Sequence, residues 1–213
     1  MTRIKKHQYV IAASLLFTFY AAILLFASPS AFTSYDSYWH LKTGDDLLQK
    51  GLPPFIDHYS FTFPGESINY HSEIFQVILS CFVSLFGLSG GYTLIRALAC
   101  TLFLFLVFRF YKEIKAPWPI IAITLPYICL FYLFRFYHVR PELFDNALVM
   151  ATMILYVKAQ ASFSNKHLIY IALLQLFWVN YHAAILGYII LFGLFIDKAI
   201  ELFKQHEIKD KAL

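Results

Sequence analysis

The sequence predicts an all-α integral membrane protein with about six transmembrane helices and surface-lying helices in a large first extracytoplasmic loop. Three observations carry this. Of 213 residues 60% are hydrophobic and 14% charged, with a mean hydropathy of +0.62, too apolar to hide inside one soluble core. Apolar runs long enough to approach a bilayer crossing recur along the whole chain. The acids and histidines, by contrast, crowd into one early stretch, "SYDSYWHLKTGDDLLQKGLPPFIDHYSFTFPGESINYHSEIFQ".

The first run, 9–27, follows Arg3, Lys5 and Lys6, the flank expected of a signal peptide or of an anchor. It exceeds the roughly 7–15-residue core of a signal peptide, which favours an uncleaved first span. Residues 28–91 form the extracytoplasmic loop. Further spans are predicted at 92–108, 119–134, 143–157, 167–180 and 183–197, the last two separated by "WVNYHAA", and 198–213 is a basic cytoplasmic tail. The chain reads as a single membrane domain, 1–213.

Ile74–Leu88 is the ambiguous element, since it is short for a crossing. Charge decides its place, because Lys and Arg gather on the cytoplasmic side of short loops. If it lies on the outer surface, 12 of the 17 Lys and Arg fall inside; if it crosses, only 6 do. The surface position is therefore expected, with both termini cytoplasmic and the protein in the inner membrane. The opening loop, "HVRPELF" and "WVNYHAA" then share the external face.

Each polar group on that face has a structural and a chemical reading. Asp36 suits a helix cap before a segment ending near Gly51, or a carboxylate facing a cavity. Trp39 suits an interfacial anchor, and His40 follows it. Asp57 and His58 lie in a Pro- and Gly-punctuated connection, as turn residues or as pocket groups. His71 and Glu73 share a face only if the backbone is extended. Arg140 and Glu142 flank Pro141 where a span restarts, either bridging one another or contacting phosphate. Asn180 and His182 mark the polar break between the last two spans.

The histidines and acids of this face allow a divalent metal, although no tight ligand spacing such as HExxH occurs. No other cofactor is indicated. Cys81, Cys100 and Cys129 lie in apolar runs and form no CxxC pair, as packing residues do. A net charge of +4 without a basic, aromatic-interleaved run argues against nucleic acid.

An N-terminal anchor, a long outer loop with an early Asp and a later external acid resemble the GT-C superfamily of membrane glycosyltransferases, including protein mannosyltransferases and aminoarabinose transferases. The landmarks are "YDSYWHLKTGDDLLQKG", "FIDHYSFTFPGE", "YHSEIFQ" and "RPELF". The chain is also similar to bacterial membrane proteins carrying a DxxWHLxTG loop. The resemblance implies a polyprenyl-phosphate sugar donor, a lipid, glycan or protein acceptor, and inversion at the transferred carbon. It implies catalytic roles for Asp36 and Glu142, the latter standing where relatives often carry Asp. Trp39, His40, Asp57, His71, Glu73, Arg140, Asn180 and His182 are then the expected substrate-binding groups. Such enzymes usually have more spans, so a truncated member, or one completed by a partner subunit, is implied. Two other classes compete. A transporter component requires ionisable residues within the spans, where few occur, whereas a non-catalytic scaffold tolerates loss of Asp36.

Overall fold

The computed structural model describes residues 35–50, 57, 59, 61–67, 72–133, 138–162, 164–182 and 185–210. They hold six α-helices: α1 Tyr35–Lys50, α2 Glu73–Glu113, α3 Trp118–Leu133, α4 Glu142–Ala161, α5 Asn165–Tyr181 and α6 Ile185–Asp210. The expected 9–27 span lies outside the described residues.

Helix α2 is the spine, and it is two helices. Gly87 sits at φ 71 and ψ 169, outside the helical region and in a conformation that side chains resist. Beyond it the chain turns back on itself. A Cβ at Gly91 would lie 2.7 Å from the backbone of Val83, although eight residues of straight helix separate two positions by about 12 Å. Residues 73–86 rise only about 21 Å, short of a hydrocarbon core of about 30 Å.

The half after the turn buries Tyr92, Ile95, Ala99, Phe103, Val107 and Tyr111, spaced three and four apart on one face. Its opposite face carries exposed Leu94, Leu98, Leu102 and Phe105. A helix apolar on both sides packs against protein on one and leaves the other uncovered by the described residues. The same holds further along. In α5, Ile171, Gln175, Trp178 and Tyr181 point inward, while Ile169, Tyr170, Leu173 and Leu176 are exposed. In α6, Leu194 is buried and Ile189, Phe192, Phe195 and Phe203 are exposed.

Among the described residues one helix, α2, is long and apolar enough to cross a membrane, with a mean hydropathy of 1.9 over its best window. The six predicted crossings thus reduce to this coarser statement. Helices do overlie the predicted spans at 119–134, 143–157, 167–180 and 183–197, but they are shorter, or carry more charge in their extensions. The 92–108 segment continues as helix to Glu113, and the 183–197 segment to Asp210.

Helix α1 lies across the first half of α2, and the contact is backbone on backbone. A Cβ at Gly44 would fall 2.1 Å from the carbonyl oxygen of Gln76. One turn on, Ser80 Oγ donates to the Asp45 carboxylate. Only a glycine lets two helices approach so closely. Helix α4 packs on α2 and meets α5 and α6. Helix α3 is held more lightly, by buried Ile121 and Leu125 and by a 2.7 Å hydrogen bond between Tyr111 Oη and Thr124 Oγ1.

Gly44→Ala is expected to lower the thermal midpoint in detergent by an amount corresponding to at least about 1–3 kcal/mol, the usual penalty of overpacking. Gly193→Ala, which meets nothing within 4 Å, serves as the control and is expected to leave the midpoint unchanged.

Candidate functional site

One end of the bundle gathers the N-terminus of α1, both N-terminal portions of the divided α2, the N-terminus of α4 and the C-terminus of α5. Ser37 Oγ donates to the Val139 carbonyl at 2.8 Å, and Tyr92 Oη donates to the Ser37 carbonyl at 3.2 Å. Tyr181 Oη donates to the Pro141 carbonyl at 2.9 Å. Three segments far apart in sequence are fastened by buried side-chain-to-backbone bonds, each fixing a donor that burial would otherwise leave costly.

Asp36, expected as a cap, is the second residue of α1 and lies in its first turn. A carboxylate there is favoured by the positive end of the helix dipole. Its Oδ2 lies 2.7 Å from Arg140 Nη2, both side chains partly exposed. Arg140 was expected to bridge its neighbour Glu142 or to contact phosphate; the ion pair it makes is with Asp36. Glu142 opens α4 directly after Pro141, the favoured helix-starting residue, and its Oε2 is buried without a hydrogen-bond partner among the described residues.

The sequence gives no early notice of Asp145, yet it organises the far side of this end. Trp178 Nε1 donates to its Oδ1 at 2.9 Å, and His182 Nδ1 lies 2.6 Å from its Oδ2. Glu142 and Asp145 are three residues apart, so they share a face of α4. Two acids in the first turn of an otherwise apolar 20-residue helix were a legible signal. Trp178, Tyr181 and His182 likewise fall on the inward side at the end of α5.

An aromatic row connects the two halves. His40 meets Trp39 at 4.8 Å and Phe75 at 5.4 Å between ring centres, and Phe75 meets Tyr181 at 5.9 Å. Tyr181 is stacked on Phe177 and edges against Phe144. His40 is itself buried, with Nδ1 3.2 Å from Gln76 Nε2. It is therefore a packed residue under the site, whereas Trp39 is half-buried at its edge.

Asp57 has the turn role. Its Oδ1 accepts from the Tyr59 backbone N–H at 2.8 Å, and its own backbone closes the loop onto Glu66 and Gly65. Asn180 is exposed and donates to the Leu176 carbonyl within its own helix, away from the cluster. Glu73 is the first residue of α2, partly buried, and His71 and His58 lie outside the described residues. Ser72, beside them, is buried in a left-handed conformation at φ 77, with an Oγ that has no partner among the described residues. Strain of this kind in a non-glycine residue collects at functional sites. Among the described residues no group of three metal-ligating side chains comes together.

The loop is tied to α1 through Asp46, which accepts from Tyr59 Oη and from Lys42 Nζ at 2.9 Å, with Lys50 Nζ at 3.7 Å. The Tyr59 hydroxyl, then Lys42, hold the Asp46 carboxyl below its ordinary value of 3.8. No family profile, curated protein or solved structure matches the chain.

Because the folded value of Asp46 is depressed, its stabilisation is complete above 3.8 and is lost as pH falls through the lowered value. Tyr59→Phe removes the largest cause. The variant is expected to lose less stability than the parent protein between pH 5 and pH 2, measured as the shift in thermal midpoint. An equal acid loss in both would show that Tyr59 does not set the Asp46 carboxyl.

Proposed function

We propose that this chain is a multi-pass protein of the cytoplasmic membrane, with the polar end just described facing outward, and that it transfers a sugar from a polyprenyl-phosphate donor to an extracytoplasmic acceptor. The observation that carries the reading is the Asp36–Arg140 pair. A carboxylate and a guanidinium from segments about a hundred residues apart meet at 2.7 Å, both still partly open to a ligand. The resemblance of the opening loop and of "RPELF" to GT-C glycosyltransferases supplies the reaction class.

The membrane reading rests on the belt between two polar ends. Opposite the site, Glu113 accepts from Arg109 at 3.1 Å and lies 3.4 Å from Lys158. Between the ends, the outer faces of α2, α3, α5 and α6 are lined with exposed Leu, Ile and Phe. Water does not tolerate so continuous an apolar surface; hydrocarbon requires it. With the basic end cytoplasmic, the positive-inside rule is satisfied. Residues 73–86 then run along the outer surface up to the Gly87 turn, where exposed Leu85, Phe86 and Leu88 enter the interface.

The chemistry follows from the pair. Donor phosphate competes with the Asp36 carboxylate for Arg140, whose planar fork suits phosphate oxygens, and so frees Asp36. The acceptor oxygen attacks the anomeric carbon as Asp36 takes its proton. The bond from that carbon to the phosphate oxygen breaks, and the electron pair leaves with the polyprenyl phosphate, against Arg140. One displacement inverts the carbon. Glu142 Oε2, without a partner among the described residues, accepts a sugar hydroxyl.

Asp36→Asn separates this from a purely structural pair. A partly exposed ion pair contributes about 0–1 kcal/mol, so the variant is expected to insert and fold at near-normal levels. Transfer from a polyprenyl-phosphate sugar in isolated membranes is expected to fall about 10²–10⁴-fold, the usual cost of a lost general base. Full transfer by well-expressed Asp36→Asn rules out the assignment. For the orientation, a cysteine at Ser89 in a protein stripped of Cys81, Cys100 and Cys129 is expected to react with an impermeant thiol reagent added outside intact cells. Labelling only after permeabilisation would invert the topology.

A further inference from the structure

Asp145 and His182 make a second, separate arrangement that the transfer reaction above does not use. Both oxygens of Asp145 are engaged, one by an indole N–H and the other by an imidazole nitrogen, so the carboxylate cannot rotate away. The indole donor fixes Asp145 as an acceptor, and the 2.6 Å contact places the His182 Nδ1 proton on it. The group stands where the chain leaves α5, His182 being the residue that ends that helix. It therefore joins the start of α4 to the end of α5.

We propose that Asp145 and His182 form a proton-binding site that couples the pH at this face to the packing of α4 against α5, with Trp178 holding the carboxylate in place. The titratable groups facing His182 are Asp145 and Glu142 of α4, with Tyr181 adjacent on α5. The hydrogen bond that His182 donates to Asp145 raises the His182 value above its ordinary 6.5 against the opposing effect of burial, and Glu142 adds to the rise. Protonated, the imidazolium is held against the Asp145 carboxylate, with Glu142 acting at longer range. Neutral, it keeps one hydrogen bond and loses the attraction. Since the folded value is raised, the stabilisation is complete below pH 6.5 and disappears as pH rises through the folded value. The same turn of α4 follows Arg140 and contains Glu142, so loosening it alters the opening beside the Asp36 pair.

The test needs no substrate and is independent of the transferase reading. Trp178 becomes the only indole in a Trp39→Phe, Trp118→Phe background, and its emission reports the neighbouring imidazole. A pH titration from 5 to 9 in detergent is expected to give one transition with a midpoint above 6.5. His182→Gln is expected to abolish it, and Asp145→Asn to move it to lower pH. Where a variant does not fold, histidine ring NMR of the otherwise unaltered protein, compared with His182→Gln, reads the same ionisation. A flat titration across this range, or a transition that persists unchanged in His182→Gln, overturns the proposal. Full sugar transfer by Asp36→Asn with an intact titration would instead remove only the reading of Asp36.

Discussion

Everything at the polar end depends on the reversal at Gly87. A straight α2 would carry residues 73–80 far from Tyr92, and the segment before the turn could not lie beside the segment after it. With the chain folded back, Phe75 and Leu79 share one core with Ile95 and Ala99, and Gly91 seats against the backbone of Val83. This places Gln76 under Gly44 of α1, and Tyr92 under Ser37. The α1 platform that carries Asp36 thus rests on both arms of a single bent helix. A side chain at residue 87 would have to adopt a left-handed φ, which is why the turn falls on a glycine.

From that platform the site is assembled by a rule about buried polar groups. Each long-range fastening gives a buried side-chain hydroxyl a backbone carbonyl to donate to: Ser37 to Val139, Tyr92 to Ser37, Tyr181 to Pro141. The carbonyls stand at the start of α1 and at the entry to α4, and each has a second lone pair free for a donor from another element. The exceptions are then informative. Glu142 Oε2 and both polar atoms of Gln175 are buried without partners among the described residues, and Gln175 presses on Gly187 at the α5–α6 contact. The first lies at the polar end, in the same turn of α4 as Asp145.

The sequence made the helices legible because each is bounded by charge, proline or a polar break, and four described helices begin within about three residues of where hydropathy puts them. It also made legible that "YDSYWH", "HVRPELF" and "WVNYHAA" belong together, since charge bias alone assigned them to one face. The pairings were hidden. Arg140 had an acid two residues away, and nothing local announces that its guanidinium meets Asp36 across 104 positions. Asp145 was legible only through Glu142 three residues before it, a pair of acids in one first turn, because by itself it lies inside an apolar run. Asp57 and His40 come from the stretch where polar types crowd together, and crowding alone does not say which of them are held by the fold. Their side chains close a turn and pack against Phe75.

The arrangement of charge at this end is itself an argument about what it binds. Asp36, Glu142 and Asp145 all stand in first turns, where helix dipoles lower the cost of a carboxylate. Three acids near one opening would repel a phosphate, and Arg140 and His182 each offset one of them. The two offsets differ in kind. Arg140 is permanently charged and partly exposed, so a ligand anion can exchange places with Asp36 at little net cost. His182 is half-buried and carries its charge only when protonated, so its offset follows the pH at this end. The end therefore holds one fixed cation against a partly exposed carboxylate and one titratable group against a buried carboxylate, two offsets that respond to different changes.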